Sequence, residues 1–230
     1  MGEAVMEIGS YVDPKEKKKF EEAIPRIRAN WIAMTKWDDH HPNFGVGSNT
    51  LRAFGNYGLK PGEAYREWAA RQCETIFGRD MEALGTLRKS LTSQQKFEEW
   101  HALIAKSLQI AWKHLQKKKG IEKAGGISIA HKYKLVDLFL KWLSRHDFGD
   151  NGAFARLLER YAHCALDKYT LEKINACLGG ALPLKNPTMG HVHTENTYLY
   201  CQELIREYCR LTKDGTPLLF DFFAWNPKKK

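Results

Sequence analysis

A chain of 230 residues holds one large domain or two small ones, at roughly 150 residues per domain. Its 43% hydrophobic and 27% charged residues are globular values that exclude a disordered chain. No apolar run approaches the roughly 20 residues that span a bilayer. The balance of 36 Lys+Arg against 27 Asp+Glu leaves a formal charge of +9. Such an excess favours polyanions, because each basic contact to a phosphate releases counterions, although a merely soluble basic protein carries the same signature. The charge is clustered at Lys15, Lys17, Lys18 and Lys19, at Lys113, Lys117, Lys118 and Lys119, and in a basic tail at 226–230. The cysteines, with no Cys-x-x-Cys pair, fit reduced thiols better than a disulfide framework. The N-terminal stretch has no apolar segment like a signal peptide's, so a cytoplasmic protein is expected.

Taken in chain order, residues 38–62 are rich in Gly, Asn and Pro and read as loop around at most one short helix. Residues 63–91 look helical. From 95 to 115, Phe97, Trp100, Ile104, Leu108, Ala111 and Leu115 keep the spacing of one helical face. Ser93 is the expected N-cap there, and Lys-Lys-Lys-Gly at 117–120 the stop. A helix over 129–144 is apolar nearly all round, as a helix buried inside a domain should be. Phe154, Leu157, Leu158 and Tyr161 mark another, 168–178 the next, and Tyr198, Cys201, Ile205 and Tyr208 one from about 195 to 211. No stretch alternates with period two long enough for a sheet. The pattern predicts an all-α fold, either one domain or two helical lobes with a cleft between them.

Asp38, Asp39, His40 and His41, and separately His191 and His193, have the chemistry of metal ligands. Adjacent ligands on a loop do not easily converge on one ion, and no Cys or His partners stand at metal-site spacings, so a solvated loop is expected. Gly-Val-Gly-Ser at 45–48 lacks the preceding strand and the Lys-Ser/Thr of a phosphate loop. More informative are YKLVDLFLKWL at 133–143 and HCALDKYTLEKINACLGG at 163–180. Lys134 falls in the first turn of a buried apolar helix, where burial and the positive helix terminus both favour the neutral amine that a nucleophilic Lys requires. Asp167 interrupts an apolar run just before the next helix, where orphan N–H groups stabilise a carboxylate. The structural alternative is a snorkelling Lys134 and a helix-capping Asp167.

Lys-x-x-Asp at the start of an apolar helix, then apolar-apolar-Asp opening the next, resembles the helix-hairpin-helix DNA glycosylases. The chain is most similar to the archaeal-type 8-oxoguanine DNA glycosylases. It shares with them a long spacing between Lys134 and Asp167, a second Lys seven residues on at Lys141, and a Pro-Leu step followed by Asp221 and Trp225 in PLLFDFFAW. The resemblance covers about 133–225. It implies a glycosylase-like pair of lobes around a base-binding cleft, with 1–62 in the first lobe and 63–225 as the helical core. It implies further that Lys134 attacks the sugar C1′ and that Asp167 assists. Lys141, Asp221 and Trp225 would contact the extruded base, with Trp68 a stacking candidate that competes with a plain core role. The family's Gly-x-Gly hairpin is replaced by SIAHKY, so His131 and Lys132 would stand in as DNA contacts. Double-stranded DNA is the implied partner of a nucleoid-associated monomer, with 8-oxoguanine the default base. Neither metal nor organic cofactor is implied. A non-catalytic nucleic-acid-binding protein on the same scaffold is the alternative, and an RNA-processing or phage-related factor a third.

Overall fold

A computed structural model of the protein describes residues 8–38, 43–52, 62–78, 82–121, 125–182 and 186–225. Asp39, His40, His41 and the basic tail lie outside the described residues. The first long helix, α1 (Pro14–Trp31), starts where Asp13 accepts the amides of Lys15 and Glu16 at 2.8 and 2.9 Å and Pro14 occupies the first turn. Phe20, Ile24 and Ile27 form its buried stripe. Its lysines are answered on the helix itself, Lys17 by Glu21 and Lys18 by Glu22. Periodicity does not announce this helix, because Pro25 lies inside it and the stripe is only one residue wide.

There follow α2 (Ser48–Arg52), α3 (Glu63–Phe77), α4 (Glu82–Ser90), α5 (Gln94–Lys118), α6 (Ile129–Leu143), α7 (Ala153–Tyr161), α8 (Lys168–Cys177), α9 (Glu195–Arg210) and α10 (Pro217–Ala224). The described chain is thus mostly helical, as expected. The expected helices at 95–115, 129–144, 168–178 and 195–211 are present within a few residues, and Ser93 caps α5 through the Lys96 amide at 3.2 Å. The helical reading of 63–91 resolves into α3 and α4. The one sheet among the described residues pairs β1 (Thr35–Lys36) with β2 (His146–Asp147) in parallel, too short to leave an alternating pattern.

That small pairing has a large consequence. The amides of Ala33 and Thr35 donate to the carbonyls of Ser144 and Arg145 at 2.9 Å each, and so hold the end of α1 beside the end of α6. Buried apolar residues from Ile8 to Phe223 form one cluster, with α6 inside it and α1 packed on α10. Phe20 shows the join: fully buried, it meets Tyr208, Phe220 and Phe223 at ring distances of 6.1, 5.6 and 5.1 Å. No helix among the described residues is long and apolar enough to cross a membrane. Because Phe20 fills the seam between the two ends of the chain, Phe20→Ala is expected to cost about 3–5 kcal/mol. Urea unfolding would measure it, and a loss below about 1 kcal/mol would show α1 to be only loosely docked.

Candidate functional site

The site is organised by a stretch of buried backbone that belongs to no helix. Residues 162–167 run extended between α7 and α8, and all six are buried. Such a segment needs hydrogen-bond partners from elsewhere. Gln202 of α9 supplies two, accepting from the Cys164 amide at 3.0 Å and donating to its carbonyl at 2.7 Å. Asp221 of α10 accepts the Ala165 amide at 2.6 Å, and the Thr170 hydroxyl donates to the Ala165 carbonyl at 3.2 Å.

The segment ends on Asp167, and its two carboxylate oxygens have different duties. Oδ1 caps α8, accepting from the amides of Tyr169 and Thr170 at 2.8 and 3.1 Å, with Thr170 Oγ1 accepting the Asp167 amide in return. Oδ2 faces Lys134 Nζ at 3.3 Å. The capping and the charge-partner readings of Asp167 are therefore compatible. Lys134 itself is 8% exposed, and Nζ also lies 3.7 Å from Met189 Sδ. One expectation needs correction. Helix α6 begins at Ile129, capped by Ser128, so Lys134 sits in its second turn and not its first. The helix terminus therefore contributes little at Lys134, since the dipole's effect fades within the first turn.

Lys141 and Asp221 also come together, as an ion pair with Asp221 completely buried. Burial pushes the Asp221 carboxyl up, and the Lys141 ammonium opposes that. With one oxygen on Lys141 and the other on the Ala165 amide, Asp221 would touch a base directly only if Lys141 moved. Lys141 Nζ lies over the Phe222 ring at 4.4 Å, and Phe222 stacks on Trp31 at 5.5 Å. Trp225 caps the end of α10, is 42% exposed, and sets its ring 5.2 Å from Tyr169.

These groups border a cavity of about 660 Å³ between the end of α1, the loop around Gly45, α6 and α10. Its wall includes Arg26, Trp31, Lys141, Trp142, Arg145 and Trp225, and none of the described lining residues is a carboxylate. Gly45 is required there: at φ +77 it packs so closely on Trp142 that a Cβ would fall 2.3 Å from the Trp142 Cβ. Lys134, Leu138, Lys141 and Arg145 share one face of α6 and its continuation, being four, seven and eleven residues apart. Lys134 thus lies on the stripe that lines the cavity, roughly 10 Å along the axis from Lys141.

Other expected contacts fall elsewhere. Trp68 is a core residue, 1% exposed, with its ring 5.1 Å from Phe139 and its N–H donated to Ser107 at 2.9 Å. It is not among the cavity-lining residues, because α3 packs it against α6 from within the core. Lys132 is buried, paired with Glu195 at 2.8 Å and lying over Tyr133, so it has a partner within the protein. His131 shares a hydrogen bond with its own cap residue Ser128 at 2.8 Å, and burial lowers its pKa.

Sequence reasoning missed a polar network built on Asp137 of α6. His101 Nε2 meets Asp137 at 2.8 Å, the Tyr198 hydroxyl reaches both Asp137 oxygens at 3.0–3.1 Å, and His163 Nδ1 meets the same hydroxyl at 2.8 Å. Its signal was a His on the Phe97–Ile104 stripe, a polar residue inside a buried face. His101, Asp137 and His163 stand close enough to hold a metal ion, with ligand atoms within 4.8 Å of one another. Their mutual hydrogen bonds satisfy much of this buried network but leave His163 Nε2 without a hydrogen-bond partner. Comparisons of the chain with protein-family models, with curated proteins and with solved structures find no match.

Burial holds His163 down to about 3, with His101 and Arg206 acting in the same direction. Glu98 is held down to about 2 by His163 and Arg206. The His163 contact, at 3.9 Å, is longer than a hydrogen bond, whereas Arg206 lies 2.9 Å away and is the firmer anchor. A depressed folded-state pKa means that the unfolded chain takes up the proton first, so stability falls with falling pH. The urea midpoint is expected to drop as pH falls from 6.5, the histidine part ending near 3 and the Glu98 part extending from 4.5 towards 2. His163→Gln should flatten the limb between 6.5 and 4.5. A wild-type profile already flat there would contradict a buried neutral His163.

Proposed function

We propose that the protein is a DNA base-excision glycosylase with an associated lyase step, acting through Lys134. The observation that carries the reading is the buried Lys134–Asp167 pair at 3.3 Å, set on the same face of α6 as the lining of an aromatic and cationic cavity. In this reading an extruded nucleotide places its sugar at Lys134 and its base beside Lys141 and Trp225. The cavity is then the cleft of the two-lobed architecture that the resemblance implies.

Lys134 must give up a proton before it can attack, and Asp167 Oδ2 is the group placed to draw it away. The free amine then forms a bond to C1′ while the glycosidic bond breaks and the base departs with that electron pair and a proton. That proton is the one Asp167 took from Lys134, so the carboxylate is restored as positive charge builds on the sugar and stabilises it. Loss of the ring oxygen from C1′ leaves a Schiff base, from which a C2′ proton and the 3′ phosphate can leave, cutting the strand. Trp225 offers an exposed indole face for stacking. Asp221 acts through Lys141 and the Ala165 backbone, fixing both the base contact and the approach to Asp167. The expected 8-oxoguanine specificity, duplex DNA as partner and nucleoid association belong to this proposal.

Lys134→Gln should abolish strand nicking on every substrate of a modified-duplex panel, while duplex affinity changes little, since one contact is a small part of phosphate binding. Asp167→Asn retains the α8 cap, because Asn caps about as well as Asp. It should nonetheless slow base release by about 10²–10³-fold. Full activity in Asp167→Asn would reduce Asp167 to a cap. The near-closure of Lys134 by Met189 favours a second reading, a nucleic-acid-binding protein in which Lys134–Asp167 is only a core ion pair. It predicts DNA binding without nicking in the wild type.

A further inference from the structure

The cavity holds more positive charge than a neutral base requires. Its volume of about 660 Å³ lies within the roughly 300–1,000 Å³ of sites that enclose ligands larger than a single heterocycle. Of the three cations among its described lining residues, Lys141 is answered by Asp221. Arg26 and Arg145 have no carboxylate partner among the described residues.

Arg145 is also held in place. Its guanidinium lies over the Trp31 ring at 4.8 Å, Trp31 stacks on Phe222 with 20° between planes, and the Lys141 ammonium lies over the Phe222 ring. A guanidinium stacked by its face keeps its in-plane N–H donors for a ligand. The α6 axis fixes where that ligand edge must be. Counted along α6 and its continuation, Arg145 lies about 6 Å beyond Lys141 and about 16 Å beyond Lys134. A nucleotide with its sugar at Lys134 and its ring beside Lys141 therefore keeps its own phosphate far from Arg145. What reaches Arg145 and Arg26 is the ring edge remote from the sugar.

We propose that the cavity selects purine bases whose negative charge is shared with carbonyl oxygens on the edge remote from the sugar, such as a deaminated guanine in its anionic form. Arg145 and Arg26 are the residues that select it. The inference rests on the reading that the cavity receives an extruded base. A charge-assisted hydrogen bond from a preorganised guanidinium supplies the preference.

Calorimetric titration with 2′-deoxyxanthosine, largely anionic at pH 7.5, and 2′-deoxyinosine, neutral there, tests it without DNA. The wild type should bind the anion roughly ten-fold more tightly, and added salt should shrink the difference. The double variant Arg26→Ala/Arg145→Ala changes two exposed side chains. It should lose that preference while keeping its affinity for deoxyinosine. Equal affinities in the wild type, a preference that survives in the variant, or no binding of either nucleoside would each overturn the proposal. Nicking of duplexes containing xanthine or hypoxanthine reads the chemistry separately. Anion selectivity without nicking overturns the glycosylase reading alone, and nicking without selectivity overturns this inference alone.

Discussion

The buried backbone of residues 162–167 is the constraint on which the rest of the site depends. Helices satisfy their own amides and carbonyls, but this segment cannot, and an unpaired buried group costs about 1–3 kcal/mol. Gln202, Asp221 and Thr170 meet the need from three different helices. In doing so they fix where the segment ends, and so where Asp167 sits relative to Lys134. Asp221 in turn anchors Lys141. The two Lys–Asp pairs on α6 are therefore coupled through a few residues of extended chain.

Buried ion pairs of this kind are poor sources of stability, because desolvation offsets most of the attraction, yet removing one partner is strongly destabilising. An apolar substitute at both Lys141 and Asp221 would pack as well. What it would not do is hold an amide of the extended segment while presenting an ammonium to the cavity wall. The arrangement makes sense for a protein that needs charges at fixed positions. The His101–Asp137–Tyr198–His163 network complements it, holding α6 by hydrogen bonds as well as by apolar packing.

Much of the fold was legible because α5, α6 and α9 carry long apolar stripes and recognisable caps, and the tertiary packing agrees with them. Helix α1 was not, since Pro25 and a lysine-rich first half hide a stripe of three residues. In the site, local chemistry was readable and convergence was not. Asp167 could be placed at the head of α8 from its neighbours, but that one oxygen caps while the other faces Lys134 follows only from the path of the chain. Likewise Trp31 and Arg145 stack because β1 pairs with β2, and strands of two residues have no period to read. Trp68 sits on a helix face that packing assigns to the core, and no local pattern separates that from a base-stacking position.

The proposed reaction joins the Lys134 amine covalently to the sugar of an extruded nucleotide. Borohydride reduction of the protein on duplexes carrying oxidised purines, followed by proteolysis and mass-spectrometric location of the cross-link, tests it most directly. The proposed mechanism requires a single adduct, on Lys134. An adduct on Lys132 or Lys141, or none on any substrate although the duplex is bound, would contradict it.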